Sequence, residues 1–135
     1  MTGTTALLTL DKTGSGTFTL NGANSFTGGV NVNAGKLAAI GGGAVNRLAN
    51  NALVTVASGA TFELGDVNPV PTGANSIDVT LNGGTFQMTG ATNDGVHVRN
   101  LTFNNGGTVR TVGTVPNYNN TNHAVARSPD RATSS

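Results

Sequence analysis

The sequence has no cysteine and no tryptophan. Without cysteine there is no disulfide, no thiolate metal site and no cysteine nucleophile. The lack also fits a chain that crosses an oxidising compartment before it folds. Aromatic residues are only 4%, and the one tyrosine, Tyr118, stands outside the patterned region. A stacking platform for single-stranded nucleic acid is therefore not expected. Charged residues make up 10% and the formal net charge is +1. That leaves no electrostatic footprint for nucleic acid or an anionic membrane. It also separates the chain from disordered segments, which combine low hydrophobicity with high charge. No apolar run is long enough to span a bilayer, so direct membrane insertion is not expected. In the opening "MTGTTALLTLDK" no basic segment followed by an apolar one is visible, so the signal of an exported chain is expected upstream of this stretch or missing.

What the chain has instead is 20 glycines, with asparagine and threonine scattered between short apolar pairs. Its 135 residues bound it to one domain, or a piece of a larger one. Such a chain can bury a core only if short pieces cooperate. A repeat shows how. The pattern is an apolar residue, any residue, an apolar residue, two small or polar residues, then glycine. Val30, Val32 and Gly35 fit it, as do Val54, Val56 and Gly59. Val79, Leu81 and Gly84 follow, then Leu101, Phe103 and Gly106. The glycines are 24, 25 and 22 residues apart. After each comes a second alternating run: 37–40, 61–64, 85–88 and 108–112. A looser copy places Leu8 and Leu10 before Gly14, then Phe18 and Leu20. In all, five units lie in residues 5–115.

Alternation with period two makes each run a half-buried strand. Each unit is then a strand, a tight glycine turn and a second strand. None can bury its apolar face alone, whereas stacked copies pairing in parallel bury a continuous column. The expected fold is all-β, a parallel β-helix or β-solenoid of about five rungs. Val30, Val32, Leu37, Val54, Val56, Phe62, Leu64, Val79, Leu81, Phe86, Leu101 and Phe103 are expected inside. Gly35, Gly59, Gly84 and Gly106 are expected at corners, where a positive φ suits glycine. Asn33, Asn82 and Asn104 fall at equivalent corner positions, where stacked amides form a hydrogen-bonded ladder. Residues 41–53 and 65–76 read as the longer loops. From Pro116 the alternation stops. The expected division is a β-helix segment over 1–115 and a non-repetitive, disordered tail over 116–135. Five rungs without caps expose strand edges at both ends, and the stretch reads as part of a longer solenoid.

Residues 12–40, "KTGSGTFTLNGANSFTGGVNVNAGKLAAI", resemble the autotransporter-associated β-strand repeat of Gram-negative passenger domains. The matching positions include Gly14, Gly16, Thr17, Leu20, Gly22, Asn24, Thr27, Gly28, Gly29, Val32, Asn33, Ala34, Gly35 and Leu37. Phe18 and Phe26 stand where leucine and tyrosine are usual. Residues 46–64 resemble the stretch that commonly follows. The resemblance implies a right-handed parallel β-helix, secreted or displayed at the outer-membrane surface. The repeat is a stalk element, so no catalytic residue, cofactor or metal carries over. Its expected partners are neighbouring rungs of the parent chain, with self-association or a host or glycan surface beyond them.

A second function class is also open. Parallel β-helices carry carbohydrate-active and carbohydrate-binding sites built from outward carboxylates and basic residues. Asp78, Asp94, His97 and Arg99 are the nearest constellation here. His97 and Arg99 alternate with Val96 and Val98 and so point outward, and Asp78 sits one rung earlier between Ile77 and Val79. A solvated outer face is the simpler account of these residues. A file of outward residues, Thr9, Asn31, Thr55, Thr80 and Thr102, suggests an ice-binding or surface-layer solenoid. The preference of threonine for exposed strand positions accounts for it equally. Asp11, Glu63 and Asp66 are too dispersed to hold a hard cation. Neither a phosphate-binding loop nor a nucleophile elbow is present.

Overall fold

The computed structural model describes residues 7–24, 27–40, 47–65, 75–89 and 98–112. They form ten short strands: β1 (Leu10–Lys12), β2 (Thr17–Leu20), β3 (Val30–Val32), β4 (Lys36–Ala39), β5 (Leu53–Ala57), β6 (Thr61–Gly65), β7 (Ile77–Asn82), β8 (Thr85–Thr89), β9 (Val98–Asn104) and β10 (Thr108–Val112). The odd strands make one five-stranded sheet in the order β1-β3-β5-β7-β9, and the even strands make a second. Every neighbouring pair is parallel. This is a β-solenoid: an all-β coil whose consecutive strand pairs stack as levels. No α-helix occurs among the described residues, and no helix there is long and apolar enough to cross a membrane.

The register shows why so polar a chain folds. Val30, Val54, Val79 and Leu101 lie on one another across the first sheet, and Val32, Val56, Leu81 and Phe103 form the next file. In the second sheet Leu37, Phe62, Phe86 and Val109 align, with Phe62 and Phe86 stacked at 5.9 Å between ring centroids. The twelve residues expected inside are all buried. Each short strand supplies two side chains, and the column is closed by its neighbours above and below. At about 25 cal/mol per Å² of apolar surface, a single rung gains little, and the stack accumulates the gain.

The corner before each second strand is equally repetitive. The N–H of Lys36 donates to Gly16 O, that of Thr61 to Gly35 O, that of Thr85 to Ala60 O and that of Thr108 to Gly84 O. Small residues thus form this file, Gly16, Gly35, Ala60 and Gly84, and at Gly35 and Gly84 the space demands it. At Gly84 an added Cβ would lie 2.5 Å from Val56 Cγ1 and 2.7 Å from the oxygens of Val56 and Ala57.

Four details differ from the sequence expectation. The first copy is shifted by two residues: Leu10 and Lys12, rather than Leu8 and Leu10, pair with Val30 and Val32. Lys12 looks like a turn residue, yet its aliphatic stem fills a core position while its ammonium finds backbone carbonyls. The outward file accordingly begins at Asp11, not Thr9, and Asn31 Nδ2 donates to Asp11 Oδ1 at 2.7 Å. At the fourth level the positive φ belongs to Gly83, at 78°, and Gly84 is required by space instead. Finally, about three turns are paired on both sides, fewer than five rungs, because the first and last strand pairs of each sheet have one neighbour each. Asn104 Nδ2 does donate to Asn82 Oδ1, at 3.2 Å, as an amide ladder requires. The tail 116–135 lies outside the described residues, as do 41–46 and 66–74 of the longer loops.

Val56 has no exposed surface and sits between Val32 and Leu81. Val56→Asp leaves an unpaired charge there, costing about 3–5 kcal/mol, a large part of a small domain's stability. The substitution is expected to abolish the cooperative thermal transition followed by circular dichroism. An unchanged melt would place Val56 outside the core.

Candidate functional site

The outer faces carry the chemistry that the core cannot. On the first sheet the decisive feature is an irregularity. Ile77 pairs with Val98 and Asp78 with Asn100, so Arg99 is the extra residue of a β-bulge. Two consecutive polar side chains thereby reach one carboxylate. Arg99 Nε donates to Asp78 Oδ1 at 3.0 Å, and Arg99 Nη2 to Asp78 Oδ2 at 2.6 Å. Asn100 Nδ2 also donates to Asp78 Oδ1, at 2.8 Å. The remaining terminal nitrogen of Arg99 donates to Asn51 Oδ1 at 2.6 Å. Asn51 is held in a left-handed turn, with φ 58°, before β5. A planar guanidinium matches this task because its fork meets both carboxylate oxygens at once.

The result is a polar clamp across three levels: the turn before β5, β7 and β9. Asp78 and Arg99, predicted as neighbours, are brought together. His97 and Asp94, the other members of that constellation, lie outside the described residues. Asn51 and Asn100 were not anticipated. The signal was present in "VRNL", where two polar residues stand between inward Val98 and Leu101 and break strict alternation.

The second sheet has its own ladder. Ala38, Glu63, Gln87 and Arg110 share one outward file. Lys36 Nζ lies 2.8 Å from Glu63 Oε2. Gln87 Nε2 donates to Thr89 Oγ1 at 3.1 Å, and Arg110 Nε to Gln87 Oε1 at 2.7 Å. Glu63 and Gln87 are both buried despite facing outward. A buried amide or carboxylate is tolerated only when hydrogen-bonded, and here each has partners on the adjacent strand or level.

Both carboxylates titrate low. Burial alone would raise the Asp78 carboxyl, but the hydrogen bonds from Arg99 and Asn100 and the charge of Arg99 outweigh it. Burial would likewise raise Glu63, and it is overcome by Lys36, Thr89 and Gln87. A carboxylate held ionised and saturated with donors is a poor proton acceptor for a substrate. The arrangement is suited to tying levels together, not to acid–base chemistry. Among the described residues no group of three or more histidine, cysteine, aspartate or glutamate side chains is placed to hold a metal. The threonine file at Thr55, Thr80 and Thr102 is flanked by Leu53, Asp78 and Asn100, so no second threonine file lies beside it.

The comparisons with known proteins bear on one part of the chain. Residues 10–39 match the model of the passenger-associated-transport-repeat. The limits of that match coincide with structure: it runs from the first residue of β1 to the last of β4. The passenger-associated-transport-repeat therefore corresponds here to two stacked levels of the solenoid, and the resemblance to the autotransporter passenger repeat holds over them. No curated protein and no solved structure matches the chain.

Depressed carboxyls make stability depend on pH in a defined sense. The unfolded chain binds more protons than the native one near the ordinary carboxylate values. The contribution is therefore present above that range and lost as pH falls through the lower native values. Asp78→Asn is expected to weaken the fall in the urea midpoint between about pH 5 and pH 3. At neutral pH it should cost about 1 kcal/mol or less, since the pair is half-exposed. An identical pH profile in the variant would mean that the clamp contributes nothing to stability.

Proposed function

We propose that this chain is a stalk segment of a secreted or surface-displayed, autotransporter-like passenger in the outer-membrane system of a Gram-negative bacterium. Its contribution is mechanical: it extends and stiffens, with no catalytic step. The observation that carries the reading is the match of residues 10–39 to a passenger-associated-transport-repeat, with its bounds on β1 and β4. The three levels that follow continue the same register. The partners proposed are neighbouring rungs of a parent chain stacked on an open sheet edge. A repetitive, nearly neutral outer face also suits adhesion or self-association between cells.

The test is to place the chain between a signal peptide and an autotransporter translocator barrel in a Gram-negative host. Surface exposure is read by sensitivity of intact cells to added protease, and association by cell settling. Display at the surface is expected, with faster settling. Folded chain retained inside the cell would count against export, and display with unchanged settling would leave the stalk and remove self-association.

A second reading is kept by one geometric fact. Stacking does join Asp78 and Arg99 on an accessible outer face, where the side chains are 25% and 33% exposed. The second reading is a carbohydrate-binding face that uses Asp78 and Arg99, together with His97, which lies outside the described residues. Titration with oligosaccharides, followed by calorimetry, decides. Binding lost in Arg99→Ala with the fold intact supports this second reading, and no binding by the wild type removes it.

A further inference from the structure

An asparagine followed by glycine is prone to lose its side-chain amide without any enzyme. The glycine nitrogen attacks the asparagine Cγ, and glycine puts no side chain in the way. The attack needs that nitrogen free and the peptide between the two residues able to turn. The step occurs three times among the described residues: Asn21–Gly22, Asn82–Gly83 and Asn105–Gly106. The second and third lie at neighbouring corners, since Asn82 pairs with Asn104, the residue before Asn105. The fold treats them in opposite ways. Asn82 is the half-buried last residue of β7, and its Oδ1 accepts from Asn104 Nδ2 at 3.2 Å. The Gly83 N–H donates to both Asn104 O, at 3.0 Å, and Gly106 O, at 2.9 Å. Asn105 is exposed in the turn between β9 and β10, with φ 54°. Among the described residues neither its side chain nor the Gly106 N–H is hydrogen-bonded. A Cβ built on Gly106 meets nothing within 4 Å. Asn21 is exposed as well, just after β2.

We propose that Asn105 is a site of spontaneous deamidation and isomerisation, and that its conversion releases Asn82 to follow. The Gly106 nitrogen bonds to Asn105 Cγ, and its proton leaves with the Nδ2 amide group as ammonia. Water, the one co-reactant, then opens the succinimide ring. Opening at Cγ leaves aspartate. Opening at the main-chain carbonyl leaves isoaspartate, whose backbone runs through Cβ and Cγ and is one methylene longer. That methylene falls between Asn104 O and Gly106 O, the two acceptors that together hold the Gly83 N–H. They no longer both meet it, and the nitrogen that attacks Asn82 is let go. Protection of Asn82 is thus a property of the neighbouring level, lost by local opening. The inference does not depend on the stalk reading.

The test incubates the full chain in mildly alkaline buffer and follows each asparagine by mass spectrometry, with an isoaspartyl methyltransferase reporting isoaspartate. Asn105 and Asn21 are expected to convert at least about tenfold faster than Asn82 at first. Asn82 is expected to follow after a lag, in molecules already altered at Asn105. Cleavage after Glu63, the single glutamate, keeps both sites on one fragment, so that doubly converted molecules are counted directly. In unfolding urea the three sites are expected to convert at similar rates with no lag. In Asn105→Ser, checked for folding by circular dichroism, Asn21 should convert as before and Asn82 should stay intact. Equal rates for Asn105 and Asn82 in the folded chain, or a difference that survives in urea, would overturn the proposal. So would conversion of Asn82 in folded Asn105→Ser on the wild-type schedule. Should Asn105→Ser fail to fold, the wild-type fragment decides: a doubly converted fraction equal to the product of the two single fractions means independent sites and overturns the coupling.

Discussion

Everything in this molecule depends on equivalent residues lying directly over one another in neighbouring coils. Parallel pairing with matched register is what turns two-residue apolar patches into a continuous column. A strand of three residues such as β3 has no independent stability. Placed between β1 and β5, it has both backbone edges paired and both inward valines covered. A slip of one residue would turn valine outward and asparagine or threonine inward along the whole file. The small residues at Gly35, Ala60 and Gly84 serve the same constraint, because they let the corner backbones approach and keep the coils aligned.

The polar ladders repeat this logic on the outside. Each links levels rather than residues adjacent in sequence. Asn51, Asp78 and Arg99 belong to three successive levels, and Lys36, Glu63, Gln87 and Arg110 to four. The bulge that presents Arg99 beside Asn100 is the local irregularity that gives Asp78 its second set of donors. Charge is scarce in the chain, and within the described residues much of it is spent in these contacts.

The architecture was readable because its signal is periodic. Val54, Val56, Val79 and Leu81 announce both the strands and their stacking, and four copies fix the spacing better than one would. What escaped reading was not periodic. Lys12 breaks the apolar pattern, and only the carbonyls of Thr13, Gly14 and Ala34 explain how a lysine fits there. The pairing of Lys36 with Glu63 was missed for a related reason: it joins strands 27 positions apart, and a list of dispersed charges does not reveal which share a file. Arg99 was placed on the correct face, but the bulge that binds it to Asp78 depends on a register shift that alternation alone does not encode.

The clamp at Arg99 also bears on how such a shaft would yield under tension. Hydrogen bonds between levels run along the axis of the coil, so a pull on its ends peels coils away one at a time rather than shearing the whole stack. The turn before β5, β7 and β9 are fastened to one another by the same guanidinium. The levels of β1 and β3 are joined instead by Lys12, which donates to Ala34 O, and by Asn31, which donates to Asp11. A pull would then meet two kinds of fastening, an ammonium and an amide between the first levels and a guanidinium between the later ones.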